Sequence, residues 1–486
     1  MRHMLITGVR PAGGVAAVDI RIAGGVVTES GPALARRHDE VLDADGRWAV
    51  PGLWDHHVHL GQLGAREGWF DTSAARTPED LLWLVARRVA AAANPAEPLI
   101  GFGARPSLWQ RSPRREELDL VSGHHLVVLV SGDAHSGWLN TAAQRRFGVS
   151  HPGPVSESEW FAIFPRLDDV SPAAETGVPA VLARAAALGI VGITDLTFAP
   201  TFETWAERVA SGIDTVRVRA GFYPEHLDAA LATGRRTGEP IAGLATMGPL
   251  KVITDGSLGS LTACCDEPYG PRDDTGVQNV GRDELTALAS RCAAAGLEVT
   301  FHAIGDRACA VALDALERSG AAGCLEHAQL LRRADVERLA RLGVAASVQP
   351  AHLLDDLPAL RSLWADRGER AYVFRSLLDA GVTLRLGSDA PVAPLDPWLA
   401  MAAAVHRNSP EDEPWHPEQR LTAAEALRCS TNAHPGFSPG APGDVVLLTA
   451  DPLAPQPDSA ATAAHLLSMR RQVTTTVVAG RVVWAG

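Results

Sequence analysis

Short apolar runs alternate with amphipathic stretches through the middle of the chain. The stretches between several of these runs, such as 282–295 and 333–342, carry apolar residues at helical spacing. Eight such strand–helix units are typical of an α/β fold of the (β/α)8 TIM-like barrel type, which we expect over residues 51–430. The eight candidate strands lie near residues 49–59, 189–197, 216–223, 247–255, 298–305, 324–329, 344–352 and 383–390.

The two ends of the chain show a different sequence pattern, in which short strand-like runs are separated by turns. The run 18–22 alternates apolar and polar residues and is followed by Gly24-Gly25, which indicates a hairpin. Near the other end, 444–448 and 473–478 are rich in β-branched residues. We therefore expect a small β-sandwich domain built from residues 1–50 and 431–486, with the barrel inserted into it.

The segment 61–188 interrupts the alternation of strands and helices. It contains helical and loop signals and no clear barrel unit. Because it follows the first predicted barrel strand, it is interpreted as an insertion that covers the barrel mouth, the end at which such barrels carry their chemistry.

Composition and charge narrow the class of partner. The chain has 486 residues, and Lys+Arg 44 against Asp+Glu 57 gives a net charge of −13, which argues against nucleic acid or an anionic membrane as a partner. Six cysteines form no regular framework, and no segment has the pattern of a signal peptide or a membrane span. We expect a cytoplasmic protein that acts on a small molecule, and a homodimer as the commonest oligomeric state.

Histidines at the end of the first barrel strand are candidate metal ligands. Side chains alternate faces along a strand, so His57 and His59 point to the same side and two imidazoles are available to bind one ion. The alternative for an isolated His-x-His is a pair of solvated or hydrogen-bonded histidines. His56 should face away from both.

Polar residues close four later apolar runs and suggest the same site. Lys251 lies within an apolar strand, where an ammonium is costly to bury unless it pairs, deprotonates, is modified or reaches solvent. His302 and His327 end successive strands, although a core histidine is the usual explanation for one such residue. Asp389 ends the eighth run, where a helix N-cap is the simpler alternative.

Taken together, these motifs resemble the amidohydrolase superfamily and, within it, the YtcJ-like (amidohydrolase 3) family. The resemblance covers nearly the whole chain. The matching stretches are Asp55-His56-His57-Val58-His59, Lys251 with Asp255-Gly256-Ser257-Leu258-Gly259-Ser260, His302-Ala303-Ile304-Gly305-Asp306-Arg307-Ala308, Glu326-His327, Gln349-Pro350-Ala351-His352 and Gly387-Ser388-Asp389-Ala390-Pro391.

The resemblance implies a role for each candidate ligand. It implies that His57 and His59 bind the more buried of two ions, and that His302 and His327 bind the second. Lys251 would bridge both ions as a carbamate. Asp389 would bind a metal and carry protons.

General chemistry agrees with this implied site. Imidazole and carboxylate ligands suit zinc, and carboxylation of Lys251 replaces a cation that would repel two dications with a bridging anion. A water bound to such ions has a pKa lowered toward ~7, which makes hydroxide available as a nucleophile. Asp389 is then the natural general base. The sequence therefore predicts an enzyme, a metal-dependent amidohydrolase that cleaves an amide-type, non-peptide C–N bond.

Two other interpretations are open. A mononuclear deaminase-like hydrolase would use one ion at His57, His59, His302 and Asp389 and leave Lys251 unmodified. A catalytically inactive barrel would serve as a binding or scaffold protein, although all six ligand-type residues are present. The number of bound ions distinguishes the first two interpretations.

Residues around the predicted ligands are candidates for support and substrate binding. Asp306 is predicted to orient His302 through its second ring nitrogen. His135, His352 and Trp109 are candidate substrate contacts, with a structural hydrogen bond or lid packing as the alternative.

Two further features of the sequence bear on the site. Glu326 should face away from the site if its strand is regular. Leu261 stands where the family usually has arginine, so the substrate is left open.

Overall fold

A closed barrel of eight parallel strands forms the centre of the molecule. The computed structural model describes residues 3–94, 97–106, 109–170, 173–270, 273–432 and 436–486. All eight strands are parallel, and each pairs with the next along the chain. They are β1 (Leu53–Val58), β2 (Ile190–Asp195), β3 (Arg217–Phe222), β4 (Ala245–Ile253), β5 (Val299–Ala303), β6 (Gly323–His327), β7 (Ala345–Val348) and β8 (Leu384–Leu386).

The barrel closes between β8 and β1. Asp389 N donates to His57 O at 2.7 Å, and His59 N donates to Ala390 O at 2.8 Å. Gly387 permits this close approach, because a Cβ there would lie 2.8 Å from His57 N. Closure places the end of β8 directly beside the His-x-His of β1.

Helices surround the barrel and bury its outer face. Helix Arg282–Ala295 ends at Gly296 with φ 71°, the left-handed conformation that glycine adopts easily. These helices are Ala173–Ala187, Thr201–Ala210, Leu227–Ala232, Arg282–Ala295, Asp306–Ser319, Arg333–Leu342, Pro350–Leu363, Phe374–Asp379, Pro397–His406 and Ala423–Cys429. The predicted (β/α)8 barrel is confirmed.

Both chain ends share one additional β-domain, as predicted, and their strands pair in one sheet. Its eight strands are His3–Pro11, Val18–Ala23, Val26–Gly31, Glu40–Asp43, Trp48–Pro51, Val445–Leu448, Val473–Val478 and Arg481–Ala485. Val445 and Leu447 face an apolar cluster of this sheet, whereas Val446 and Leu448 pack into the barrel core. Helix Ser459–Ser468 connects two of these strands. The sheet is thus anchored to the barrel through one of its faces.

The insertion contains a sheet that its sequence does not reveal. Its strands pair in the order Val155–Ser156, Ser136–Leu139, Val127–Ser131, Leu99–Ala104, Phe70–Asp71. Apolar clusters cover both faces of this sheet, so its strands lack the alternation that marks a half-buried strand. The insertion also contains helices Leu60–Arg66, Pro78–Ala91, Arg115–Ser122, Thr141–Phe147 and Glu157–Phe161.

Two predicted strands, 49–59 and 344–352, extend beyond the observed barrel strands. The run 49–59 divides into Trp48–Pro51, which belongs to the terminal sheet, and β1 of the barrel. The run 344–352 ends at Val348 because Pro350 begins a helix, where proline is favourable at the first position.

Within the parts of the chain that the structure describes, no helix is long and apolar enough to cross a bilayer.

Candidate metal centre

The C-terminal ends of β1 and β8 bring two histidines and an aspartate together. His57 Nε2 lies 3.2 Å and His59 Nε2 lies 3.1 Å from Asp389 Oδ1. His57 and Asp389 are buried, and His59 is half-buried. The three ligand atoms lie close enough together to hold one metal ion.

Three more predicted ligands lie around this group. Lys251 Nζ, at 1 % exposure of the residue, lies 3.3 Å from His57 Nε2. The His302 and His327 rings meet edge to face with centroids 4.3 Å apart, and His327 lies 5.1 Å from the ring of His57. The barrel thus gathers all six predicted ligands from five strand ends.

The site fits a divalent ion on the evidence of its own polar atoms. The buried Nδ1 atoms of His59 and His327 have no hydrogen-bond partner among the described residues. A second group of three ligand atoms, from His327, His352 and Asp389, also lies within binding distance of one another. Unpaired buried nitrogens are costly unless something binds them, and imidazole and carboxylate are ligands that zinc and similar ions prefer.

Two of these ligands are held in a strained backbone conformation. His327 has φ 68° and Asp389 has φ 57°, in the left-handed region that few residues other than glycine adopt. Such strain persists only where the surrounding structure fixes it, and it concentrates at functional sites. The strained backbone at the ends of β6 and β8 therefore directs the His327 and Asp389 side chains into the site.

Glu326 lies inside the site, which corrects the expectation that it faces away. Its Oε2 lies 2.8 Å from His57 Nδ1, and its Oε1 accepts a hydrogen bond from the Thr300 hydroxyl at 2.6 Å. The backbone leaves the strand conformation at His327, so the side chains of Glu326 and His327 do not point to opposite faces as they would in a regular strand. Glu326 therefore fixes the orientation of the His57 ring, the role that carboxylates commonly play behind metal-binding histidines.

Asp306 does not orient His302, so that prediction is wrong. Its carboxylate accepts from Asp266 N and from the Arg370 guanidinium, both at 2.9 Å. Asp306 begins helix Asp306–Ser319, and its buried side chain is directed to Asp266 and Arg370 and not to His302. The carboxylate near His302 is that of Asp255, with Oδ1 3.7 Å from His302 Nε2.

Two buried aspartates were missed as structural supports of the site. Asp255 accepts hydrogen bonds from Ile304 N, Gly305 N and Cys264 N at 2.8–3.0 Å. Asp55 accepts from His57 N at 3.1 Å and from Ser388 N at 2.9 Å. Burial raises the pKa of each carboxyl to about 7. The signal was present, since both aspartates lie in the stretches that carry the family resemblance.

His135 reaches the site from the insertion. Its ring lies 5.4 Å from that of His302, and its Nδ1 lies 3.4 Å from Glu157 Oε1. Burial opposes the charge on the imidazole, but the neighbouring carboxylates, first Glu157 and then Asp133 and Asp389, together outweigh burial and raise the pKa of His135 to about 9. Glu157 also accepts a hydrogen bond from Thr262 of the loop after β4 at 2.6 Å. The pair therefore links the insertion to the barrel beside the metal centre.

A cavity of about 390 Å³ connects the histidines with the molecular surface. It lies between the insertion and the barrel loops. His135, His352 and Trp109, the three candidate substrate contacts, all line it. Trp138 and Phe102 instead belong to the two apolar clusters of the insertion.

Burial dominates the electrostatics of the nitrogen ligands. It lowers the pKa of Lys251 and His57 and holds the pKa of His302 and His327 well below the ordinary value. Burial alone would raise the pKa of Asp389, but His57 and His59 keep it well below its usual range. Neutral nitrogens beside an ionised carboxylate are the protonation states that metal binding requires.

His56 faces away from the site, as predicted, with its Nε2 3.3 Å from Thr431 O.

The fold is a closed (β/α)8 barrel, and its histidine, lysine and aspartate side chains lie at the C-terminal ends of the strands. These two features together define a class of barrel hydrolases that bind metal ions at this end. The model of the amidohydrolase family matches residues 40–484, and the chain belongs to this family.

Curated relatives span nearly the same length. The Bacillus subtilis (strain 168) protein YtcJ, whose name classes it with the amidohydrolases, is 26% identical over 92% of this chain and 90% of its own length. N-substituted formamide deformylase of Arthrobacter pascens is 27% identical over 81% of this chain and 80% of its own.

Solved structures share the fold. A metal-dependent hydrolase from Pyrococcus horikoshii OT3 superposes with a TM-score of 0.77 and 24% identity, covering 93% of this chain and 98% of that one. At 24% identity, this similarity shows that the two chains share a fold and shows nothing further.

Proposed function

We propose that the protein is a metal-dependent hydrolase that cleaves an amide-type, non-peptide C–N bond of a small molecule. The observation that carries the proposal is the convergence of six side chains at one end of the barrel: His57, His59, Lys251, His302, His327 and Asp389. Membership of the amidohydrolase family and the name of the formamide deformylase relative support the same reaction class.

The residues fall into two roles in this proposal. The four histidines hold two divalent ions, with zinc the best match to their nitrogen ligands. Lys251 would join the ligand set once its neutral amine has formed an N–C bond to carbon dioxide and released one proton. Support for this modification comes from its setting, since burial lowers the pKa of Lys251 and so favours the neutral amine that reacts. Bound ions supply Lewis acidity, which lowers the pKa of a water and polarises the substrate carbonyl.

Asp389 is the proposed general base. Its Oδ1 faces His57 and His59, and its Oδ2 lies 3.7 Å from His352 Nε2 on the cavity side. Asp389 takes a proton from the attacking water and delivers it to the departing nitrogen. His135, His352 and Trp109 contact the substrate in the cavity, and the insertion limits access of bulk water to the site.

A one-ion alternative has specific support. The tightest group of ligand atoms, from His57, His59 and Asp389, is sufficient for a single ion. A deaminase-like hydrolase would use that ion with Lys251 unmodified.

Metal content separates the two forms. Protein purified without chelator is analysed by elemental mass spectrometry, and its intact mass is measured under native conditions. Two ions per chain and the added mass of one carbon dioxide support the binuclear enzyme. One ion with no added mass favours the mononuclear alternative, and protein that binds no metal would refute both.

A further inference from the structure

The two arginines that line the described part of the cavity are paired with carboxylates. Arg105 of the insertion pairs with Asp355 of helix Pro350–Leu363 at 2.8 Å. Arg111 pairs with Glu79 at 2.6 Å and with Glu117 at 2.9 Å. Among the described residues that line the cavity, neither arginine is therefore free to bind an anionic substrate group.

The carboxylates of the cavity wall are also occupied. Asp133 accepts hydrogen bonds from the hydroxyls of Ser131 at 2.6 Å and Ser257 at 2.8 Å. Asp356 accepts from the Tyr372 hydroxyl at 2.5 Å. With carboxylates on this wall and no unpaired arginine in the described part of it, a second anion in the cavity would be repelled.

An unpaired neutral amide remains on the wall. Gln329 is 3 % exposed, lines the cavity, and its Oε1 has no hydrogen-bond partner in the described part of the chain. Its backbone is fixed, because Gln329 O accepts from Tyr372 N at 2.7 Å and Leu330 N donates to Ile304 O at 2.9 Å. A buried amide that is held in place and left unpaired at a cavity wall is positioned for a ligand.

We propose that the cavity disfavours an additional anionic group on its substrate and that Gln329 hydrogen-bonds a neutral polar group of that substrate. The proposal deepens the proposed function and rests on it. Apolar side chains such as Leu258, Leu261 and Ile304 line other parts of the wall and provide contact area for an uncharged acyl or amine substituent.

A series of substrates with one scissile bond and different distal charge tests the selection. N-formylbenzylamine is compared with its 4-carbamoyl, 4-carboxylate and 4-aminomethyl derivatives, and with the matching acetamides. Release of formate or acetate by the metal-loaded enzyme is measured. We expect kcat/KM for the 4-carboxylate to lie about tenfold or more below that for the other three substrates, since the carboxylates of the wall repel an anion and not a neutral group or a cation.

The outcomes separate this inference from the function on which it rests. A 4-carboxylate that is turned over as well as the other members, or a 4-aminomethyl member that is disfavoured equally, overturns the selection and leaves the hydrolase intact. Failure of the metal-loaded enzyme to cleave any member counts against amide hydrolysis and therefore against both proposals.

Gln329→Leu tests the residue. One lost hydrogen bond should raise KM for the 4-carbamoyl substrate about two- to tenfold, with kcat, metal content and melting temperature changed little. Gln456→Leu, which alters a glutamine of the C-terminal segment outside the cavity, is the matched control and should leave KM unchanged. An unchanged KM in Gln329→Leu with metal still bound would refute the assignment.

Discussion

His57 is the residue on which the metal centre depends most directly. Its Nε2 faces Asp389 and Lys251, while its Nδ1 is held by Glu326. His57→Ala removes a ligand from the tightest group of the site. We expect bound metal to fall and turnover to be abolished, as measured by elemental analysis and product assay. Metal content equal to that of the wild type would contradict the ligand assignment.

Asp389→Asn separates the base from the ligand set. The amide keeps the shape and an oxygen of the side chain but cannot take a proton at neutral pH. We expect kcat to fall by about two to four orders of magnitude while much of the metal is retained. Turnover near the wild-type rate at normal metal content would rule out Asp389 as the general base.

Glu326 and Asp306 form a matched pair of tests. Glu326→Gln loosens the His57 ring, so metal affinity or activity should fall about 10- to 100-fold. Asp306→Asn breaks contacts with Arg370 and Asp266 and should cost about 1–2 kcal/mol of stability while the metal stays bound. Metal titrations and thermal unfolding are measured for both variants. Loss of metal affinity in Asp306→Asn but not in Glu326→Gln would contradict both roles.

At the scale of elements, Glu157 joins the insertion to the barrel through its hydrogen bond with Thr262, and His135 of the same insertion pairs with Glu157. The folded-state pKa of His135, about 9, lies above the ordinary value of 6.5, because the neighbouring carboxylates, Glu157 foremost, together outweigh burial. In metal-free protein the resulting stabilisation should be fully present below about pH 6.5 and lost as pH rises through about 9. Melting temperature against pH measures this loss, and Glu157→Gln should flatten the dependence. An equally steep curve in the variant would assign the loss to other groups.

The elements also show where sequence patterns lose information. All eight barrel strands were predicted, because strands buried on both faces read as continuous apolar runs. The same property hid the sheet of the insertion, where 99–104 and 127–130 are apolar throughout and carry no period that separates strand from helix. Strand ends were overextended where a helix begins at once, as at Pro350.

For the molecule as a whole, bound metal should link the site to overall stability. The ligands come from β1, β4, β5, β6 and the end of β8, so an ion at this point joins both sides of the barrel closure. Removing metal with a chelator should lower the melting temperature, and adding zinc back should restore it, because a ligand that binds only the folded state stabilises that state. No change in melting temperature would contradict a metal that connects these strands.

The sequence by itself determined the barrel, the sharing of one small β-domain by both chain ends and the identity of the six candidate ligands, whereas the pairing of both ends in one sheet came from the tertiary structure. Apolar runs, helical spacing and the polar residue closing each run are local features that can be read one segment at a time. Tertiary structure decided which carboxylates support the ligands. Glu326 reaches His57 because the backbone turns at His327, and Asp306 turns away because it begins a helix. Tertiary structure also decided that Arg105 of the cavity wall is paired, since its partner Asp355 lies far away in the chain.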